Sequence, residues 1–234
     1  MVSEENHSRA VEDYLKAVYK LEHGASPAST SDLAKRLGRS AASVTNMIKS
    51  LAEQGLVTHV PYHGVRLSAE GRQAALRIIR RHRIIESYLI ERLGYTWDGV
   101  HPEAERLEHA VSDDLVDRMA RALGDPATDP HGSPIPTREG SITRSELQPL
   151  AETRPGTSAV IRQVADRDGD RLRTLSTIGL LLGTRIDVLA ISEAGACTLR
   201  IGTAEHCLDA NLAAGIQVEP TPTEKQRNVD PDKS

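Results

Sequence analysis

"STSDLAKRLGRSAASVTNMIKSLAEQGLVTHVPYHGVRLS", residues 29–68, decides how the first third of the chain folds. It opens with Ser and Thr as helix caps, places a short apolar set at Leu33, Ala34 and Leu37, and stops at Gly38. A second apolar set follows at once, with Val44, Ile48 and Leu51 on one helical face. Two short helices joined by a glycine-bearing turn of about three or four residues predict a helix-turn-helix. Beyond Gly55, β-branched residues flank a turn at Pro61 to Gly64, which predicts a hairpin that would form a wing.

Toward the N-terminus, Val11, Tyr14, Leu15, Val18 and Leu21 repeat at helical spacing until "HGASPAS" ends the pattern. Helix, helix-turn-helix and wing together predict a winged-helix domain. In the other direction a long helix is expected from Ser68 to Leu93. Its Leu76, Ile79, Ile84, Ile85, Tyr88 and Leu89 offer more apolar surface than one flank can hide, so self-packing in a dimer is expected. Within it, "RRHRIIE" at 80–86 reads as the wet face of a buried helix rather than a basic patch.

One continuous helix is expected from about Pro102 to Leu123, and "GDPATDPHGSPIPTREG" is too rich in Pro and Gly to extend it. From Thr157 the runs "SAVIRQV", "TRIDVLAI" and "CTLRIG" predict a small β-barrel or sheet ending near Val218, followed by a disordered tail.

Composition narrows the function classes. The 234 residues are 38% hydrophobic, enough for real cores, and no run approaches the roughly 18 apolar residues of a membrane span. The opening "MVSEENHSRAVEDY" is acidic and lacks a signal-peptide core, so a soluble, cytoplasmic protein without membrane partners is expected. Cys197 and Cys207 form no CxxC pair, which argues against a disulfide framework or zinc ribbon. The net charge of -4 hides two poles: residues 30–93 carry 11 Lys and Arg against 5 Asp and Glu, while residues 94–170 carry 8 against 15. Such asymmetry suggests a polyanion partner for the first part.

That partner would be double-stranded DNA. With Val44, Ile48 and Leu51 facing inward, Ser43, Asn46, Lys49 and Ser50 turn outward, where Asn bonds adenine bidentately and Ser or Lys reaches bases and phosphates. Ser40 and Ala42 at the start of the same helix join the candidate contacts. Arg39, Lys49 and Arg66 are candidate phosphate contacts.

"HPEAERLEHAVSDD", residues 101–114, raises a different question. At 100° per residue, Glu105, Glu108 and His109 fall on one side of a helix, beside an apolar face of Leu107, Val111 and Leu115. Carboxylates and an imidazole crowded at a core edge repel unless a cation joins them, so a divalent metal and a solvated helix face stand as alternative readings. His82 and Glu86, at i and i+4, with His101, repeat the pattern. "ERLEH" also lies one residue from the HxxEH zinc-peptidase pattern, a rival enzymatic reading weakened by Glu in place of the first His.

"VEDYLKAVYKLE", "RRHRIIESYL" and "VHPEAERLEHAVSDDL" together resemble the diphtheria toxin repressor family of metal-dependent transcriptional regulators, over nearly the whole chain. The resemblance implies a mostly α chain with small β elements: a winged helix at 1–72, a helical dimerisation and metal-binding domain at 73–140, a linker at 141–156, an SH3-like domain at 157–219 and a tail at 220–234. It implies a homodimeric, non-enzymatic repressor of metal-homeostasis genes. Asp13, Glu105, Glu108 and His109 look like its primary metal site. His82, Glu86 and His101 look like an ancillary site, to which the C-terminal domain adds Asp168, because Arg171 at the other family position cannot ligate a cation. Iron-responsive members carry methionine at the position of Asp13 and cysteine at that of Glu105. Carboxylates at both suit Mn²⁺, the expected cofactor, ahead of Fe²⁺, with Co²⁺ or Zn²⁺ also able to bind. Shorter manganese regulators have a carboxylate where this chain has Lys16, which puts a two-metal arrangement in doubt.

Overall fold

A computed structural model of the chain describes residues 7–22, 26–60, 63–143, 145–166 and 168–221. It divides into two compact units, one made of residues up to Ile85 with Ala104–Ala122 and Ile135–Ile142, the other of Glu86–Glu103, Leu123–Pro134 and the chain from Thr143 on. Among the described residues no helix is long and apolar enough to cross a membrane.

The first unit opens with helix α1 (Arg9–Leu21), α2 (Thr30–Leu37) and α3 (Ala41–Glu53), then strands β1 (Val57–Val60) and β2 (Gly64–Leu67). Local chemistry sets the turn between α2 and α3. Ser29 Oγ caps α2 by accepting from Asp32 N, Gly38 ends it in the left-handed region at φ 61°, and Ser40 Oγ caps α3 by accepting from Ser43 N. Leu15, Val18, Leu33, Val44, Leu51, Leu56 and Val65 then close a single core under the helices and wing. The wing pairs antiparallel from Val57↔Leu67 to Val60↔Gly64, and its Pro61 lies outside the described residues.

Helix α4 (Ala69–Leu93) follows, with α5 (His101–Leu107) and α6 (Asp113–Ala122). The continuous helix expected from Pro102 to Leu123 is broken. Ala110 N and Val111 N both bond to Leu107 O, and Ser112 starts a new helix by accepting from Leu115 N. "SDD" at 112–114 is an N-cap followed by first-turn acids, a restart signal stronger than the apolar periodicity running through it. The break also puts Leu115, expected to face protein, on the surface at 42% exposure.

In this unit Ile84 packs with Val116, Ala120 and Ile135. The arginines of "RRHRIIE" are not a wet face: Arg81 is buried, with Nε 2.7 Å from Asp113 Oδ1, and Arg80 bonds Asp117 and the carbonyl of Pro136. The aspartates of α6 draw them inward. Of the apolar residues of α4 expected at a dimer seam, Leu76, Ile79, Ile84, Ile85 and Leu89 are buried within the chain and Tyr88 is half-buried.

The second unit is built on six antiparallel strands, β3 (Gln148–Pro149), β4 (Ser158–Val164), β5 (Arg185–Ile191), β6 (Cys197–Ile201), β7 (Ala204–Leu208) and β8 (Ile216–Thr221), in the order β3-β8-β4-β5-β6-β7. This is the SH3-like domain. Helices α7 (Gly169–Thr177) and α8 (Ala210–Ala214) interrupt the strands, and the β reading passed over them. Leu172 and Leu175 of α7 join the core of Ile161, Ile186, Leu199 and Val218. Strand β8 pairs with β4 as far as Thr221, so residues 220 and 221, expected in the tail, belong to the sheet, and residues 222–234 lie outside the described residues. The Pro- and Gly-rich segment packs tightly on β4: a Cβ at Gly132 would lie 1.9 Å from Arg162 O.

Candidate metal centre

In the first unit, α1 meets the end of α5 through charge. Glu12, Asp13 and Lys16 point from one helix; Glu105, Glu108 and His109 come from the other and the turn behind it. Asp13, Glu108 and His109 each offer a ligand atom, all within 4.8 Å of one another. His109 Nε2 lies 3.0 Å from Asp13 Oδ1 and 3.3 Å from Glu108 Oε1, aligned for a hydrogen bond with neither. Its other nitrogen, Nδ1, is 2.6 Å from Glu12 Oε2, so Nδ1–H donates to Glu12 and Nε2 is turned toward the two ligand carboxylates. A carboxylate behind a histidine in this way fixes the ring and tautomer that a metal requires. One buried and one half-exposed carboxylate, with an imidazole nitrogen without a hydrogen bond, fit a divalent cation.

The electrostatics agree. Burial opposes charge on His109, but the carboxylates of Asp13, Glu12 and Glu108 overcome it and push the imidazole pKa up to about 9. A cation is wanted at this position, and in the metal-free chain a proton supplies it.

Glu105 is turned elsewhere. Its Oε1 accepts from Lys16 Nζ at 2.7 Å, and the same ammonium lies 2.8 Å from both oxygens of Glu108 and 3.4 Å from His82 Nδ1. His82, Glu105 and Glu108 form a second group of converging ligand atoms, with Glu108 common to both groups. Of the four residues expected at the primary site, the structure groups Asp13, Glu108 and His109, and it gives Glu105 to Lys16.

The second unit holds another cluster. Glu86 is fully buried; His101 Nδ1 lies 3.0 Å from its Oε1, and Asp166 brings a carboxylate oxygen within 4.8 Å of the ligand atoms of both. Asp168 does not take that place. It caps α7, with Oδ1 accepting from Asp170 N at 3.0 Å and Arg171 N at 3.2 Å, a backbone role that holds its carboxylate on the helix end. His82 stands one helical turn before Glu86 on α4 but belongs to the first unit, where its Nδ1 is 2.6 Å from Glu108 Oε2.

The sequence reading missed three residues. Glu12 resembles any solvated acid on a helix. Asp166 sits two positions before Asp168, the expected ligand. His131, in the Pro- and Gly-rich segment, is fully buried, donates from Nε2 to Trp97 O at 2.9 Å, and turns Nδ1 toward Glu86 Oε2 at 3.9 Å. That nitrogen has no hydrogen-bond partner. A histidine amid Asp, Gly and Pro carried the only available signal.

On α3, Ala42, Ser43, Asn46 and Lys49 are exposed, as are Arg39 and Ser40 in the preceding turn, and Arg66 on β2 is half-buried. Asp13 and Tyr14 of α1 share a cavity of about 500 Å³ with Arg39, Ser43 and Met47, so a metal-site residue and candidate DNA contacts line one space.

Three family models together match most of the chain. Residues 7–65 match the family described as "Iron dependent repressor, N-terminal DNA binding domain", residues 68–137 "Iron dependent repressor, metal binding and dimerisation domain", and residues 148–220 the "FeoA domain". The iron-dependent repressor IdeR of Mycobacterium leprae is 28% identical over 220 residues, 89% of this chain and 96% of the relative. A solved manganese-dependent transcriptional repressor in complex with manganese is 41% identical with a TM-score of 0.85, covering 90% of this chain and all of that one. ScaR with bound Cd²⁺ is 31% identical with a TM-score of 0.80, covering 90% and 99%.

Proposed function

Because the chain belongs to the diphtheria toxin repressor family of metal-dependent transcriptional regulators, we propose that the ion it answers to is Mn²⁺. It is a metal-dependent DNA-binding repressor and not an enzyme; its matching domains and relatives are repressors, which removes the zinc-peptidase reading of "ERLEH".

The observation that carries the manganese reading is the donor set. Asp13, Glu108 and His109 bring hard oxygen and imidazole ligands together, with no thiol or thioether among them. Solved structures described as manganese-dependent repressors support it. An iron-responsive repressor is the second reading, favoured by the mycobacterial relative. In the second unit, Glu86, His101 and Asp166, with His131 beside them, would hold an ancillary ion.

Bound at the primary site, a divalent cation supplies an electrostatic bond between carboxylates that otherwise repel. Asp13 carries α1 into that bond, and Glu108 and His109 carry the end of α5. Since α1 packs on α2 in the helix-turn-helix core, fixing α1 fixes the recognition helix α3. In a cytoplasmic homodimer this sets the spacing of two recognition helices against operator half-sites about 34–36 Å apart. The metal favours the DNA-competent state only by its higher affinity for that state. Exposed Arg39, Ser43, Asn46 and Lys49, with Ser40, Ala42 and Arg66, would meet the groove and phosphates.

Fluorescence anisotropy with operator DNA tests this. Tight binding is expected with Mn²⁺, weaker binding with Fe²⁺ at equal free concentration, and loss of binding after chelation. Equal binding by the metal-free chain would sink the mechanism, and a preference for Fe²⁺ would sink the choice of metal.

A further inference from the structure

Glu22 closes α1 at the end away from Asp13, and its side chain is only 5% exposed. A carboxylate so placed needs partners, and it has two. Its Oε1 accepts from the backbone N of Leu67, the last residue of the wing, at 2.6 Å, and its Oε2 accepts from the guanidinium of Arg72 near the start of α4. The same guanidinium lies 5.5 Å from the centroid of the Tyr19 ring on α1. The Leu67 bond completes a sheet edge. Alternate residues of an antiparallel strand turn their backbone groups to opposite edges. On the edge of β2 away from β1, Val65 exchanges both of its backbone bonds with Ala28 at 2.9 Å. Leu67 is next on that edge, and the Glu22 carboxylate stands where a third strand would continue.

We propose that Glu22 is a positioning residue for DNA binding: it ties the wing to the metal-bearing helix α1 and so holds Arg66, the neighbour of Leu67, against the phosphate backbone. The proposal rests on reading Asp13, Glu108 and His109 as the regulatory site and Arg66 as a phosphate contact. Core packing passes the position of α1 to the recognition helix, but apolar contact has no direction, and a two-stranded hairpin has little stability of its own. A buried, charge-assisted hydrogen bond supplies the direction. Because Leu67 N is bonded to the residue that ends α1, whatever fixes α1 at Asp13 also fixes the strand that bears Arg66. In this role Glu22 touches neither metal nor DNA; it acts through Leu67.

Full-length wild-type chain, Glu22→Gln, Arg66→Ala and the double variant are titrated with Mn²⁺ by calorimetry. At saturating Mn²⁺ and several salt concentrations they are then titrated by fluorescence anisotropy with a duplex that the wild-type chain has selected from random DNA. Glu22→Gln is expected to bind Mn²⁺ as the wild type does. Its DNA affinity is expected to fall about tenfold, with a salt slope shallower by about one, the mark of one lost phosphate contact. Adding Glu22→Gln to Arg66→Ala is expected to cost little more, because both remove the same contact. A residue that merely kept the domain folded would leave the slope unchanged and add its loss to that of Arg66→Ala. Unchanged DNA affinity, an unchanged slope or additive losses therefore overturn the proposal. Arg72→Ala, at an exposed position, removes the other hold on the carboxylate and is expected to act in the same direction; it decides if Glu22→Gln does not fold. Wild-type chain that binds the duplex equally with and without Mn²⁺ would overturn the regulatory reading itself, and this proposal with it.

Discussion

Glu12 needs no contact with a metal to govern one. Its carboxylate holds His109 by Nδ1 and is itself held by Arg81, 3.8 Å away. Loss of such a supporting carboxylate weakens metal affinity about 10–100-fold, so Glu12→Gln is expected to weaken Mn²⁺ binding by that much in calorimetric titration; unchanged affinity would show that the ring is held by other means. The pH dependence follows from the same ring. With its pKa raised to about 9, metal-free His109 carries a proton that an incoming ion must displace, so Mn²⁺ affinity is expected to climb about tenfold per pH unit until that value and then level. Metal-free stability runs the opposite way: the contribution of His109 is complete below its ordinary 6.5 and is lost as pH rises through about 9. A flat affinity profile between pH 6 and 8 would contradict this. Of these residues, spacing alone exposed Glu105, Glu108 and His109. Glu12 and the hold of Lys16 on Glu105 stayed hidden, because both depend on which residues a distant helix brings near.

At the scale of elements, the helix-turn-helix was legible because each signal is local: Ser29 and Ser40 cap, Gly38 stops, and one apolar face is short. The break between α5 and α6 was legible in principle, yet apolar periodicity masked the cap at Ser112. The burial of Arg80 and Arg81 was not, since it depends on aspartates some thirty residues away. The start of α4 shows how closely elements are fitted. Gly71 has an ordinary helical backbone, and at such a position Ala normally stabilises. Here a Cβ would lie 1.9 Å from Leu56 O, against backbone that cannot swing aside. Gly71→Ala is therefore expected to destabilise the first unit by about 1–3 kcal/mol, read from urea unfolding; a stabilised variant would show that the wing moves freely.

For the whole molecule, composition and patterning placed a basic, helical first part ahead of a small β domain, and both are present. What they could not convey is that the Pro- and Gly-rich segment is structural, with Gly132 against Arg162 and His131 buried. Polar turn chemistry looks the same whether a loop is solvated or clamped. That segment also meets the chain's single tryptophan. Trp97 donates from its indole nitrogen to Pro130 O at 2.9 Å and stacks on His131 with ring centroids 5.3 Å apart. All indole emission from this protein thus arises beside one buried imidazole, and an ion bound at that imidazole would alter how strongly the indole is quenched. Under the proposed assignment, that emission is an unlabelled optical gauge of metal at the second cluster, read in a cuvette.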